Sequence, residues 1–187
     1  MISIILTMVL AGQPATPALP ESAAAGSARV LVVYYSLTGT TGRVARELAE
    51  SLGADIEAIR DVRGRGGLLG FIRSGYEAVR KVLPPIQPLE KDPAEYDLAV
   101  LGTPVWGGKM SSPMRAFITE NRDRFNAIAL FCTQGGDTEG STFQEMAELC
   151  GKTPVASLSL RHDDVVKNTY AARLATFAHE LRAALEN

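Results

Sequence analysis

Net charge is nearly absent from this chain: 21 Asp and Glu stand against 19 Lys and Arg, a formal balance of −2. That evenness gives no case for nucleic acid or an anionic membrane surface as a partner. Cysteine is scarce too. The chain holds two, Cys132 and Cys150, without metal-ligand spacing, and the expectation is two buried free thiols. No apolar run spans a bilayer, since Ile2 to Leu10 is too short. No lysine or arginine precedes Arg29, so the opening lacks the basic start of a secretory peptide, although its apolar length and small residues suit one.

Residues 1–28 are read as an extension. An apolar stretch is followed by Gln13 to Pro20, rich in proline and alanine, and an Ala/Gly/Ser run to Ala28. Such a composition builds no core. A cytoplasmic protein is expected, with export as the alternative if residues 1–28 act as a signal. Residues 29–187 form the domain, and with 46% hydrophobic and 21% charged residues in the chain a single globular unit is expected.

Within the domain, Val30 to Tyr35 reads as an apolar strand that hands over to an amphipathic helix near Thr41. Val44, Ala45, Leu48, Ala49 and Leu52 recur at helical spacing, and Gly53 stops that helix. Asp55 to Ile59 is a short second strand. A helix from Leu68 to Leu83 is expected to bury Leu68, Ile72, Tyr76, Val79 and Leu83, ended by Pro84-Pro85. Strands at Tyr96 to Leu101, Ala127 to Cys132 and Pro154 to Leu160 alternate with helices at Ser112 to Glu120, Thr142 to Cys150 and Thr169 to Leu185. The last helix presents Leu174, Phe177, Leu181 and Leu185 on its apolar face. Five strands alternating with five helices give an α/β doubly wound parallel sheet with helices on both faces. Ligands of such sheets sit beyond the carboxyl ends of the strands.

Three of those strand ends carry unusual residues. Ser36-Leu37-Thr38-Gly39-Thr40-Thr41 follows the first strand. Gly39 permits a tight turn, and the first amides of the helix lack intrahelical partners at the positive end of its dipole. With four hydroxyls this is a socket for a phosphate, or else an ordinary helix cap. A lysine is missing, which excludes the G-x-x-x-x-G-K-[ST] loop of nucleotide triphosphatases and leaves a single terminal phosphate held by neutral donors. Thr103-Pro104-Val105-Trp106-Gly107-Gly108 follows the third strand and holds the sole tryptophan. Trp106 is placed either to stack on a planar ligand or to pack against a neighbouring helix. Thr133-Gln134-Gly135-Gly136-Asp137 follows the fourth strand. Its glycines free backbone groups to bond a polar ligand edge, the alternative being a plain connecting turn.

The run from Val32 to Leu48 resembles the phosphate-loop motif of the flavodoxin family: two aliphatics, an aromatic, spaced Ser/Thr, a small residue, Thr, then Ala and an aliphatic on the helix. Thr103-Pro104-Val105-Trp106-Gly107, with Ser112, Pro113 and Phe117 after it, is similar to the second flavin loop of shorter-chain members. The resemblance covers roughly Arg29 to Leu185. It implies a flavodoxin-like five-stranded sheet in the order 2-1-3-4-5 and non-covalent FMN, with its phosphate in the first loop and the residues of all three loops as cofactor-binding positions.

Other features are weaker. Gly64 to Gly70 has the wrong spacing for a dinucleotide fingerprint, and the basic residues Arg60, Arg63, Arg65, Arg73, Arg80 and Lys81 read as a solvated face. His162-Asp163-Asp164 reads as a turn. The three loops offer no nucleophile set, metal cluster or acid–base carboxylate pair, so their residues hold a cofactor and do not attack a substrate. Around the ring, Asp137 and Glu139 would lower its potential and Lys109 would raise it. Two functions follow: an electron carrier between redox partner proteins, or an FMN-dependent oxidoreductase taking hydride from NAD(P)H to a quinone-like acceptor. The near-neutral charge weighs mildly against a dedicated carrier.

Overall fold

The computed structural model describes residues 28–63, 67–136 and 139–186. Nearly all of the N-terminal extension lies outside them, as do Arg65 and Asp137.

Apolar residues run unbroken from Val30 to Val33, all buried, and form strand β1 (Val30–Tyr34). Such a run suits a strand covered on both faces. Helix α1 (Thr40–Leu52) begins after Gly39, whose φ of 92° belongs to the left-handed region, and stops at Gly53. Strand β2 (Asp55–Ala58) and helix α2 (Gly67–Val79) follow. Strand β3 (Leu98–Trp106) continues five residues past the expected end at Leu101 and turns into the two-residue strand β4 (Lys109–Met110). Then come α3 (Ser112–Asn121), β5 (Ala127–Gln134), α4 (Thr142–Cys150), β6 (Ser157–Arg161), α5 (His162–Val166) and α6 (Ala171–Leu185). No described helix is long and apolar enough to cross a membrane.

The strands pair in the order β2-β1-β3-β5-β6, every neighbouring pair parallel, with β4 antiparallel to the end of β3. Setting the short β4 aside, this is the order 2-1-3-4-5 of a flavodoxin-like sheet. Alternate residues of β1 face opposite layers. Val30 and Val32 pack with Val44 and Leu48 of α1 and Leu174, Phe177 and Leu181 of α6. Leu31 and Val33 pack with Met114, Phe117 and Ile118 of α3 and Met146 of α4. Gly102 of β3 makes room for its partner Phe131 on β5: a Cβ there would lie 2.0 Å from the phenyl ring.

Two expectations require correction. Helix α2 stops at Val79, ahead of the prolines, because Lys81 takes a left-handed φ of 56° while its amide bonds Ala78 O and that of Val82 bonds Glu77 O. That bond pair is the Schellman arrangement, which satisfies the last carbonyls of a helix. Tyr76, Val79 and Leu83 are then more than half exposed, and Ser74, Glu77 and Ala78 are the buried residues of this end. The second correction concerns His162 to Asp164. They form the start of α5 directly after β6, where a turn was expected, so six α-helices are present among the described residues.

Candidate cofactor site

The first loop takes its shape from its own side chains. Ser36 Oγ accepts the amide of Gly39 at 3.1 Å, which closes the turn into α1. No side chain caps α1, and no acid occupies its first turn. Its first amides therefore face the loop without an intrahelical partner. Thr38 and Thr40 hold their hydroxyl oxygens 3.5 Å apart at the surface. Thr41 differs. Its hydroxyl is buried and lies 2.7 Å from the hydroxyl of Thr133 at the end of β5, so it ties the start of α1 to that strand end.

Gly107 and Gly108, with φ of 59° and 71°, form the tight turn of a hairpin in which Val105 faces Met110 and Trp106 faces Lys109. Two successive left-handed residues make the type of two-residue turn that matches strand twist, and glycine adopts them without penalty. Their first role is therefore the hairpin. Trp106 is 9% exposed and meets Tyr35 edge to face, with ring centroids 5.6 Å apart. Core packing fixes this indole while it also lines the cavity described below. Thr103 is fully buried, with its hydroxyl bonded to Ser111 Oγ at 3.0 Å.

A second clamp ties the hairpin to the third loop. The amide of Ser141 bonds Gly108 O, and a Cβ on Gly140 would lie 2.6 Å from that same oxygen. Lys109 Nζ bonds Ser141 Oγ at 2.7 Å and Glu145 Oε1 at 2.5 Å, while Arg115 Nη2 takes Glu145 Oε2 at 2.5 Å. Burial pushes the Glu145 carboxyl up, but hydrogen bonds from Lys109 and Arg115 outweigh it and hold the group below the usual carboxylate range. Lys109, expected as a cation beside a flavin ring, instead pairs with a carboxylate on α4 and does not line the cavity.

A cavity of about 430 Å³ opens at the carboxyl edge of the sheet. Leu37, Thr38, Thr40 and Thr41 line it from the first loop, Pro104, Val105, Trp106 and Gly107 from the second, and Thr133, Gln134 and Gly135 from the third. Of the sequence-selected residues, Ser36, Gly39, Thr103, Gly108 and Gly136 stand beside it without lining it, and Asp137 lies outside the described residues. Gln134 Nε2 bonds Ser159 Oγ at 3.1 Å, yet its buried Oε1 has no partner among the described residues. An orphan acceptor at a cavity wall is a place for a ligand N–H.

Two lining residues escaped the sequence reading: Gly75 of α2 and His162 of α5. His162 Nδ1 lies 3.1 Å from Thr40 Oγ1. Its position at the end of the last parallel strand, on the same sheet edge as the other loops, was the signal for it. Among the described lining residues no Asp, Glu, Lys or Arg occurs.

The arrangement fits an elongated ligand with a phosphate, a planar aromatic system and a polar edge. A family model described as flavodoxin matches residues 29–171. A flavoprotein from Lactobacillus acidophilus NCFM, solved in complex with FMN, superposes with a TM-score of 0.63 at 21% identity, over 75% of this chain and 97% of that one. A flavodoxin from Megasphaera elsdenii superposes with a TM-score of 0.50 at 22% identity, over 83% of this chain and 97% of that one. These two likenesses speak to the fold. An NAD(P)H dehydrogenase (quinone) from Archaeoglobus fulgidus is 30% identical over 95 residues, 49% of this chain and 50% of that protein, so the match spans about half the length of that relative. On the extent of the family match, the chain belongs to the flavodoxin family.

Proposed function

We propose that the chain binds FMN non-covalently in this cavity and transfers electrons through it as a flavodoxin-like redox protein. The carrying observation is convergence: the loops after β1, β3 and β5 line one cavity that combines hydroxyl donors, an indole and an amide oxygen unpartnered among the described residues. Its volume of about 430 Å³ lies within the usual range of small-molecule pockets. The donor set suits the cofactor. Uncapped amides at the start of α1 with the Thr38 and Thr40 hydroxyls would hold the phosphate, Trp106 would flank the rings, and Gln134 with the Gly135 backbone would bond their polar edge.

Bound FMN supplies the electron-accepting chemistry, and the protein supplies position and electrostatics. Reduction adds negative charge to the ring. With no charged side chain among the described lining residues, the chain answers that charge with dipoles and hydrogen bonds. Cys132, close to the third loop, offers no nucleophile. Burial pushes its thiol up to about 12, so it stays protonated.

A second reading is an FMN-dependent oxidoreductase passing hydride from NAD(P)H to a quinone-like acceptor. The partial likeness to the Archaeoglobus fulgidus dehydrogenase favours it, as does the net charge of −2. The test of both begins with the visible spectrum of protein reconstituted with FMN. Mixing that holoprotein with NADH or NADPH and a quinone then divides them. Rapid bleaching with turnover marks the enzyme, and reduction that requires a partner reductase marks the carrier. Protein that retains no flavin contradicts both readings.

A further inference from the structure

The phosphate end of the cavity has one residue that the flavin-loop motifs do not contain. His162 stands at the start of α5, which leaves β6 without an intervening loop. Its Nδ1 lies 3.1 Å from Thr40 Oγ1, 122 positions away in sequence, and it lines the cavity beside Thr38 and Thr40. A ring with both nitrogens protonated donates from Nδ1 to Thr40 Oγ1 and keeps Nε2–H for a second acceptor.

The placement is braced. Arg43, one turn into α1 from Thr40, extends Nη1 to Val165 O and Nη2 to Asn168 Oδ1, each at 3.1 Å. Arg43 Nε meets Glu47 Oε1 at 3.0 Å, and Glu47 Oε2 accepts the Tyr170 hydroxyl at 2.5 Å. Five residues thus fasten α5 and the chain after it to the helix that supplies the phosphate amides. The histidine is held in register with Thr40 by contacts that do not themselves line the cavity. Among the described lining residues, His162 is also the one side chain that can carry positive charge.

We propose that His162 is a further ligand of the terminal phosphate, donating from Nε2, and that it makes the site prefer a phosphorylated flavin over the same ring system without phosphate. This rests on the FMN reading above. A hydrogen bond to a charged oxygen is worth enough to change affinity about tenfold. Thr40 then has two tasks: its oxygen accepts Nδ1–H and sets the histidine ring, which leaves its own proton for the phosphate.

The experiment titrates flavin-free protein with FMN and, separately, with riboflavin, followed by flavin fluorescence, for wild type, His162→Ala and His162→Asn. Ala is expected to weaken FMN about tenfold and to leave riboflavin within about twofold. Asn, which retains a donor, is expected to recover part of the loss. Inorganic phosphate added to wild type should also move the His162 ring resonances in a proton–nitrogen spectrum. Equal loss for both flavins, or none for FMN, overturns the proposal while leaving the FMN site standing. Wild-type protein that binds neither flavin overturns the parent reading, and this one with it.

Discussion

Thr41 and Thr133, 92 positions apart, hold their hydroxyl oxygens 2.7 Å from each other in a buried contact between the start of α1 and the end of β5. The bond fixes the distance between the loop assigned to the phosphate and the loop assigned to the ring edge. Replacing Thr41 by valine strands the Thr133 hydroxyl in the interior, and a loss of about 1–3 kcal/mol is expected from urea denaturation. Thr41→Val with Thr133→Val removes both polar groups together, so the double variant should be more stable than the sum of the two single losses implies. Additive losses would mean that the two hydroxyls act independently.

Glu145 is the centre of a buried charge cluster. It receives Lys109 and Arg115 on its two oxygens at 2.5 Å each. Glu145→Gln should destabilise the protein by about 3 kcal/mol at neutral pH, because buried Arg115 and part-buried Lys109 lose their counter-charge. The pH dependence has a defined sign. The folded carboxyl is held below its unfolded value, so the contribution is complete above the unfolded carboxylate pKa, near ~4.3. It is lost as pH falls through the lower folded value. Wild type and variant should therefore draw together in stability as pH falls below the unfolded value; a gap that persists unchanged in acid would contradict the pairing. Lys109→Glu should cost stability for the same reason, by setting two carboxylates side by side.

Much of this fold was legible because the central strands β1, β3 and β5 are buried and read as apolar runs, and because glycines mark the ends of α1 and α4. The three strand-end loops stood out by composition. What escaped depended on local backbone turns and on partners distant in sequence. Tyr76, Val79 and Leu83 have helical spacing, but a left-handed Lys81 ends α2 before the prolines and leaves all three exposed. Gly107 and Gly108 looked like room for a ligand; they also form a hairpin turn, and Gly107 lines the cavity. Lys109 looked like a cation for the ring until Glu145, 36 residues on, was seen to hold it. His162 looked like part of a turn, since nothing within its own segment reveals Thr40.

Both cysteines are buried free thiols, as their spacing implied. Burial pushes each thiol up to about 12, so at pH 8 neither is ionised in the folded state. Native protein should resist iodoacetamide for hours, and protein in denaturant should take up label at both positions. Fast labelling of the native form would show that one of the two strand or helix ends opens.

The central claim is that uncharged donors at the start of α1 hold the phosphate of FMN. Equilibrium titration of flavin-free protein with FMN, for wild type and for Thr38→Val with Thr40→Val, tests it most directly. The account predicts saturable binding by wild type and about a hundredfold weaker binding by the double variant, from two lost hydrogen bonds to a charged group. An affinity for FMN that survives both substitutions unchanged would contradict it.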